Sequence, residues 1–224
     1  MQSNVFFYLF FGVLDVIAMI APTFKIYRFP FWEYFKHILM IGICLSFASF
    51  VTRYLMEVPQ LDMPIQFLLY VIFYRYLIKI KLYYAVPLAA IGYLFYAVIQ
   101  FTIVPILLYF GIVNQTDFTQ TTGIGTYLIQ LFSDAASYVI SFLIYLFGLG
   151  FSHVIRPPHD VQIDVVDNYY KFHVTANIIG TLVICTTMYW LFNFHNSFII
   201  VLPTSSAALA ILIFLSYRKD FGRV

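Results

Sequence analysis

Long apolar runs, broken by brief charged segments, dominate this chain of 224 residues. A helix of about 20 apolar residues crosses the hydrocarbon core of a bilayer. Seven such spans are expected, over 5–22, 37–55, 64–80, 83–112, 126–151, 172–194 and 197–217. Hydrophobic residues make up 62% of the chain and charged residues 10%, whereas soluble domains hold roughly 45–50% apolar and about 25% charged residues. The mean hydropathy of +0.89 points the same way. The expected fold is all-α, a single polytopic bundle over 1–224 that uses the lipid bilayer as its solvent. The runs are continuously apolar rather than alternating, which excludes a transmembrane β-barrel.

Charge sets the orientation. With the runs threaded back and forth, Lys25, Arg28, Lys36, Arg75, Lys79, Lys81, Arg156, Lys171, Arg218, Lys219 and Arg223 fall on one side, and only Arg53 falls on the other. Cytoplasmic loops collect Lys and Arg, so the N-terminus is expected outside and the C-terminus inside. The run 83–112 contains Pro87 and Pro105. It is read as one long, tilted or kinked helix, because splitting it would reverse every later segment and destroy the asymmetry. Met1–Asn4 supplies no positive n-region, so the first run is expected to stay as a span rather than be cleaved. The expected location is a plasma membrane. The net charge of +2 arises from the inner loops and gives no reason to expect nucleic acid as a partner. Cys44 and Cys185 lie within apolar runs and read as free, buried thiols.

Ionisable groups inside spans are costly and are functional candidates by default. Asp15 falls mid-span in the first helix, Asp134 in the outer half of the fifth, and Arg53 near the outer end of the second. Arg53 is expected to pair with Asp134 or Glu57 around an outward-facing cavity. The plainer alternative is a structural ion pair. Arg53, Glu57, Asp62, Asp117 and Asp134 form the candidate outer ligand site. Gln66, Gln100 and Gln130, with Asp15, are intramembrane polar groups that either line such a site or tie helices together. The inner loop carries His153, His159 and His173 with Asp160, Asp164 and Asp167, at spacings that match no metal motif. No Walker loop, GxSxG or HExxH occurs. No catalytic residue, metal or cofactor is therefore expected.

The first helix exits through Lys25-x-x-Arg28-Phe29-Pro30, and an aromatic stretch covers Ile91–Gln100. In this texture the chain resembles the multispan sensor region of accessory-gene-regulator-type peptide-pheromone receptor histidine kinases, and related small membrane proteins of Bacillus-like bacteria. The resemblance implies a sensor-like or accessory signalling module that receives a small or peptide ligand outside. The sequence holds no phosphoacceptor helix and no ATP-binding domain. The module is thus expected to be non-enzymatic, acting through a cytoplasmic or membrane partner at 152–171 and the C-terminus, or to be one domain of a longer chain. The second expectation is a substrate-binding or transport component. That reading calls for a water-accessible cavity near midplane, lined by Asp15, Gln66, Gln100 or Gln130.

Overall fold

A computed structural model describes residues 2–115, 117, 120, 122–152, 154 and 198–221. The expected sixth span (172–194), nearly all of the inner loop with its three histidines, Cys185 and the last three residues lie outside the described part.

Among the described residues every regular element is helical: α1 (Gln2–Ile26), α2 (Phe35–Phe50) with a π-helical turn (Val51–Leu55), α3 (Pro59–Tyr76), α4 (Leu82–Tyr109), α5 (Ile124–Leu146) and α6 (Phe198–Phe221). Lipid offers no hydrogen-bond partner to a bare backbone, so an apolar run there must close its bonds within itself. Five stretches are long and apolar enough to cross a membrane: Val5–Ile26, Phe35–Leu55, Tyr84–Tyr109, Ile124–Leu146 and Val201–Arg218. Phe10, Ile43, Phe47, Leu68, Phe142 and Phe214 are exposed on outward faces. Apolar surface on this scale belongs against lipid or another protein.

Local chemistry sets the helix ends. α1 runs through Pro22 and stops where Arg28 turns into the left-handed region (φ 54°), its last carbonyls taken by Tyr27 and Phe29 N–H groups. α3 starts at Pro59 rather than at the expected Pro64, because proline at the first helical position lacks an N–H that would be unpaired there anyway. Asp62 consequently sits in the first turn of α3, not in a loop. α3 is long but is not one of the five strongly apolar stretches; it carries Asp62, Gln66 and Arg75, with Tyr70 and Tyr74 fully buried. α4 continues unbroken through Pro87 and Pro105, as one helix.

α4 is the centre of the bundle. Half of its apolar stretch is buried, against about a third or less for the other four, and it packs on α1, α3, α5 and α6. α1 packs on α2, α4 and α5. Close approach relies on small residues, as in other membrane bundles: a Cβ added at Gly92 of α4 would lie 2.8 Å from Thr23 Oγ1 and 3.1 Å from the Met19 carbonyl of α1.

One end of the bundle joins three helix termini. Phe151 N donates to Ile26 O (2.6 Å), Arg28 Nη2 to Gly148 O (3.0 Å), and Ser152 N and Oγ to Asp220 Oδ1 (3.1 Å each). The Tyr27 hydroxyl meets Ser216 Oγ at 2.9 Å. The C-terminal ends of α1, α5 and α6 therefore share a face.

The Met19 carbonyl is fixed backbone, so Gly92→Leu should lower stability by about 1–3 kcal/mol. Gly111→Asn should be nearly silent, since Gly111 has φ +66° and nothing within 4 Å, and asparagine tolerates that region. Thermal unfolding of the two variants in detergent checks both.

Candidate functional site

Two polar knots lie in the bundle with a cavity between them. The first is built on Asp62, whose carboxylate is fully buried and accepts from four donors: Thr52 Oγ1 (2.7 Å), Ser49 Oγ (3.2 Å), Arg53 Nε (2.5 Å) and Gln66 Nε2 (2.9 Å). Gln66 Oε1 in turn accepts from the Tyr93 hydroxyl (3.3 Å), and Ser49 Oγ meets the Tyr8 hydroxyl (2.9 Å). Helices α1 to α4 are joined through this knot. The π-helical turn widens the end of α2 just where Thr52 and Arg53 must both reach Asp62; such turns recur at functional positions.

The second knot joins α1, α4 and α5. The Tyr96 hydroxyl lies 2.7 Å from Asp15 Oδ1 and 2.9 Å from Asp134 Oδ1. Gln130 Nε2 donates to Asp15 Oδ2 (2.6 Å). Below it, Ser137 Oγ donates to the Ala18 carbonyl (2.6 Å) and the Tyr138 hydroxyl to the Leu14 carbonyl (3.0 Å). Asp134 Oδ2, Ser133 Oγ and Gln130 Oε1 are buried with no hydrogen-bond partner among the described residues.

A cavity of about 150 Å³ separates the knots. Asp15, Arg53, Gln66, Tyr93, Tyr96 and Gln130 give it polar walls, and Val16, Met19, Leu45, Leu94 and Ala97 give it apolar ones. Gln120 and Thr126 also line it, so the cavity reaches the connection between α4 and α5, at the bundle end opposite Arg28 and Ser152.

The expected site residues thus separate into groups. Asp15, Arg53, Gln66 and Gln130 converge on one cavity. Asp62 and Asp134 stand behind it, each holding a lining residue. The expected pairing of Arg53 with Asp134 or Glu57 is corrected: among the described residues its ion-pair partner is Asp62. The early start of α3 and the π-helical turn bring those two together, while Asp134 is held at Tyr96 instead. Glu57 is exposed, in the left-handed region (φ 56°) just past the turn, and does not line the cavity. Asp117 closes the α4–α5 connection, accepting from Asn114 N at 2.9 Å, and its own carbonyl accepts from Thr126 Oγ1 at 2.8 Å. Gln100 does not line the cavity. Cys44 is exposed on the outer face of α2 rather than buried.

The residues that sequence reasoning missed are Tyr8, Ser49, Tyr93 and Tyr96. One signal could have found the last two. Tyrosine favours the membrane interface, yet Tyr93 and Tyr96 occupy the middle of an apolar run, three apart and hence on one helix face. Comparison with family models, curated proteins and solved structures returns no match.

Removing one member of the Arg53–Asp62 pair strands the other. Arg53→Met and Asp62→Leu should each destabilise more than half as much as the double variant, with a coupling of about 1–3 kcal/mol in a double-mutant cycle on thermal unfolding.

Proposed function

We propose that this chain is a non-enzymatic, multi-pass plasma-membrane protein that binds a small polar solute in the cavity between α1 and α4, as the substrate-binding or transport component of a membrane system. The observation that carries this reading is the convergence of Asp15, Gln66, Gln130 and Arg53, from four different elements, on one space of about 150 Å³. Polar groups in a membrane bundle are costly and commonly mark a solute path. Groups that only tie helices together need leave no space between them.

The topology proposed with it has seven spans, the N-terminus outside and the C-terminus inside. It is supported by the sharing of one face by the ends of α1, α5 and α6, where Lys25, Arg28 and Arg218 lie, with Arg53 at the other. α6 has 24 residues, which at about 1.5 Å per residue matches a bilayer, and it packs along α4. With its C-terminus on the inner face its N-terminus lies outside, so 154 and 198 lie on opposite sides. The sixth span of this topology, expected at 172–194, lies outside the described residues.

A second reading keeps the same cavity and makes it a sensor without a kinase domain, working through a signalling partner. What favours it is that α1 and α5 both carry cavity groups and both end in the inner contacts with α6. A ligand that prefers one arrangement of α1 against α5 would then alter the inner face.

Ala97 lines the cavity and is not fully buried, so Ala97→Phe fills the space with little strain on the bundle. Of three solutes with three carbons each, propylammonium, propionamide and propionate, at least one should bind the purified full chain by calorimetry. Ala97→Phe should abolish that binding while the protein melts as the parent does. Equal binding by the variant would contradict the reading. Uptake of the bound solute into vesicles separates transport from sensing.

A further inference from the structure

The hydrogens around Tyr96 can be counted. Its hydroxyl carries one, yet two carboxyl oxygens, Asp15 Oδ1 and Asp134 Oδ1, lie at 2.7 and 2.9 Å. One hydrogen shared between two carboxylates makes two weakened bonds, so both short contacts are full hydrogen bonds when a carboxyl brings a hydrogen of its own. Asp15 is equipped as a carboxylate: it accepts from Tyr96 and, at 2.6 Å, from Gln130 Nε2, and it borders the cavity. Asp134 is 2% exposed, and its Oδ2 has no donor among the described residues. A bare carboxylate oxygen in that position would be costly. The added hydrogen therefore belongs to Asp134, which stands within hydrogen-bond reach of both Tyr96 and Asp15, while Tyr96 donates to Asp15.

Charge can be counted in the same way. Arg53 and Asp62 cancel at 2.5 Å. Tyr8 from α1, Tyr93 from α4 and Tyr138 from α5 are neutral phenols near neutral pH. With Asp134 protonated, the cavity is left with a single unbalanced charge, the Asp15 carboxylate.

We propose that Asp15 is the binding site for a small organic cation in this cavity, and that a proton competes with that cation for the same carboxylate. The proposal rests on the reading of the cavity as a solute site, and deepens it to a class. A space of about 150 Å³ is of the size that admits benzene in an engineered core, so the cation is a compact ammonium with a short hydrocarbon part. The carboxylate and Gln130 meet the charged end, and Val16, Leu45 and Ala97 meet the tail. The exchange balances: Asp15 holds either one monovalent cation or one proton, so a cation entering the acid form releases one proton, and Asp134 keeps its own throughout.

The test is calorimetric titration of the purified full chain with propylammonium, propionamide and propionate over a range of pH. The expected result is binding of propylammonium alone, weakening on acidification by up to about tenfold per pH unit. Asp15→Asn should abolish it. Asp134→Asn preserves the neutral partner beside Tyr96 and should bind with comparable affinity. Should Asp15→Asn fail to fold, the pH dependence of the parent protein decides. Binding independent of pH, or undiminished in Asp15→Asn, would overturn the proposal. If propionamide or propionate binds instead and Ala97→Phe blocks it, the cavity reading stands and the cation assignment fails. If none of the three binds, both fall.

Discussion

The contact between Tyr96 and two carboxyl groups organises the centre of the bundle. It ties α4 to α1 and α5 at once, through side chains that each helix alone could not bury. An ionisable group in hydrocarbon is tolerated only when it finds partners or water. Asp15 finds Tyr96, Gln130 and the cavity, and Asp134 finds Tyr96. The inter-helix packing follows: Ser137 and Tyr138, one turn further along α5, lock onto the α1 backbone, and Gly92, one turn before Tyr96, lets α4 approach α1 at Met19.

The cavity is the space left where this knot and the Asp62 knot do not meet. The Asp62 knot is saturated on the side away from it, and both knots are polar on the side facing it. That division explains how a bundle with so few charges can keep four polar side chains at one place without filling the place between them. It also separates structural from ligand-facing acids. Asp62 spends its oxygens on four donors and on holding Arg53. Asp15 accepts from Tyr96 and Gln130, lies beside the Asp134 carboxyl and fronts the cavity.

Much of this architecture was legible in the sequence. A continuous apolar run in lipid has one solution, a helix, so α1, α2, α4, α5 and α6 appear close to where hydropathy places them, and α4 stays whole despite two prolines. The start of α3 was readable from Pro59 as a first-turn residue but was obscured by Asp62, a charge that marks a loop when hydropathy is weighed alone. The pairing of Arg53 with Asp62 depends on that start and on a π-helical turn, which no local pattern announces. The convergence of Asp15, Gln66 and Gln130 with Arg53 was half legible: each stood out as a polar residue in an apolar run, but which faces meet is a matter of packing. Tyr96 was hidden by abundance, being one of 19 tyrosines.

The most direct test of the central contact is the infrared spectrum of the purified protein in the carboxyl C=O region. The account predicts a protonated carboxyl band that is present near neutral pH, shifts on exchange into heavy water and is missing from the difference spectrum's Asp134→Asn partner. A spectrum in which Asp134→Asn removes only an ionised carboxylate band would contradict it, because two carboxylates would then face a single hydroxyl hydrogen.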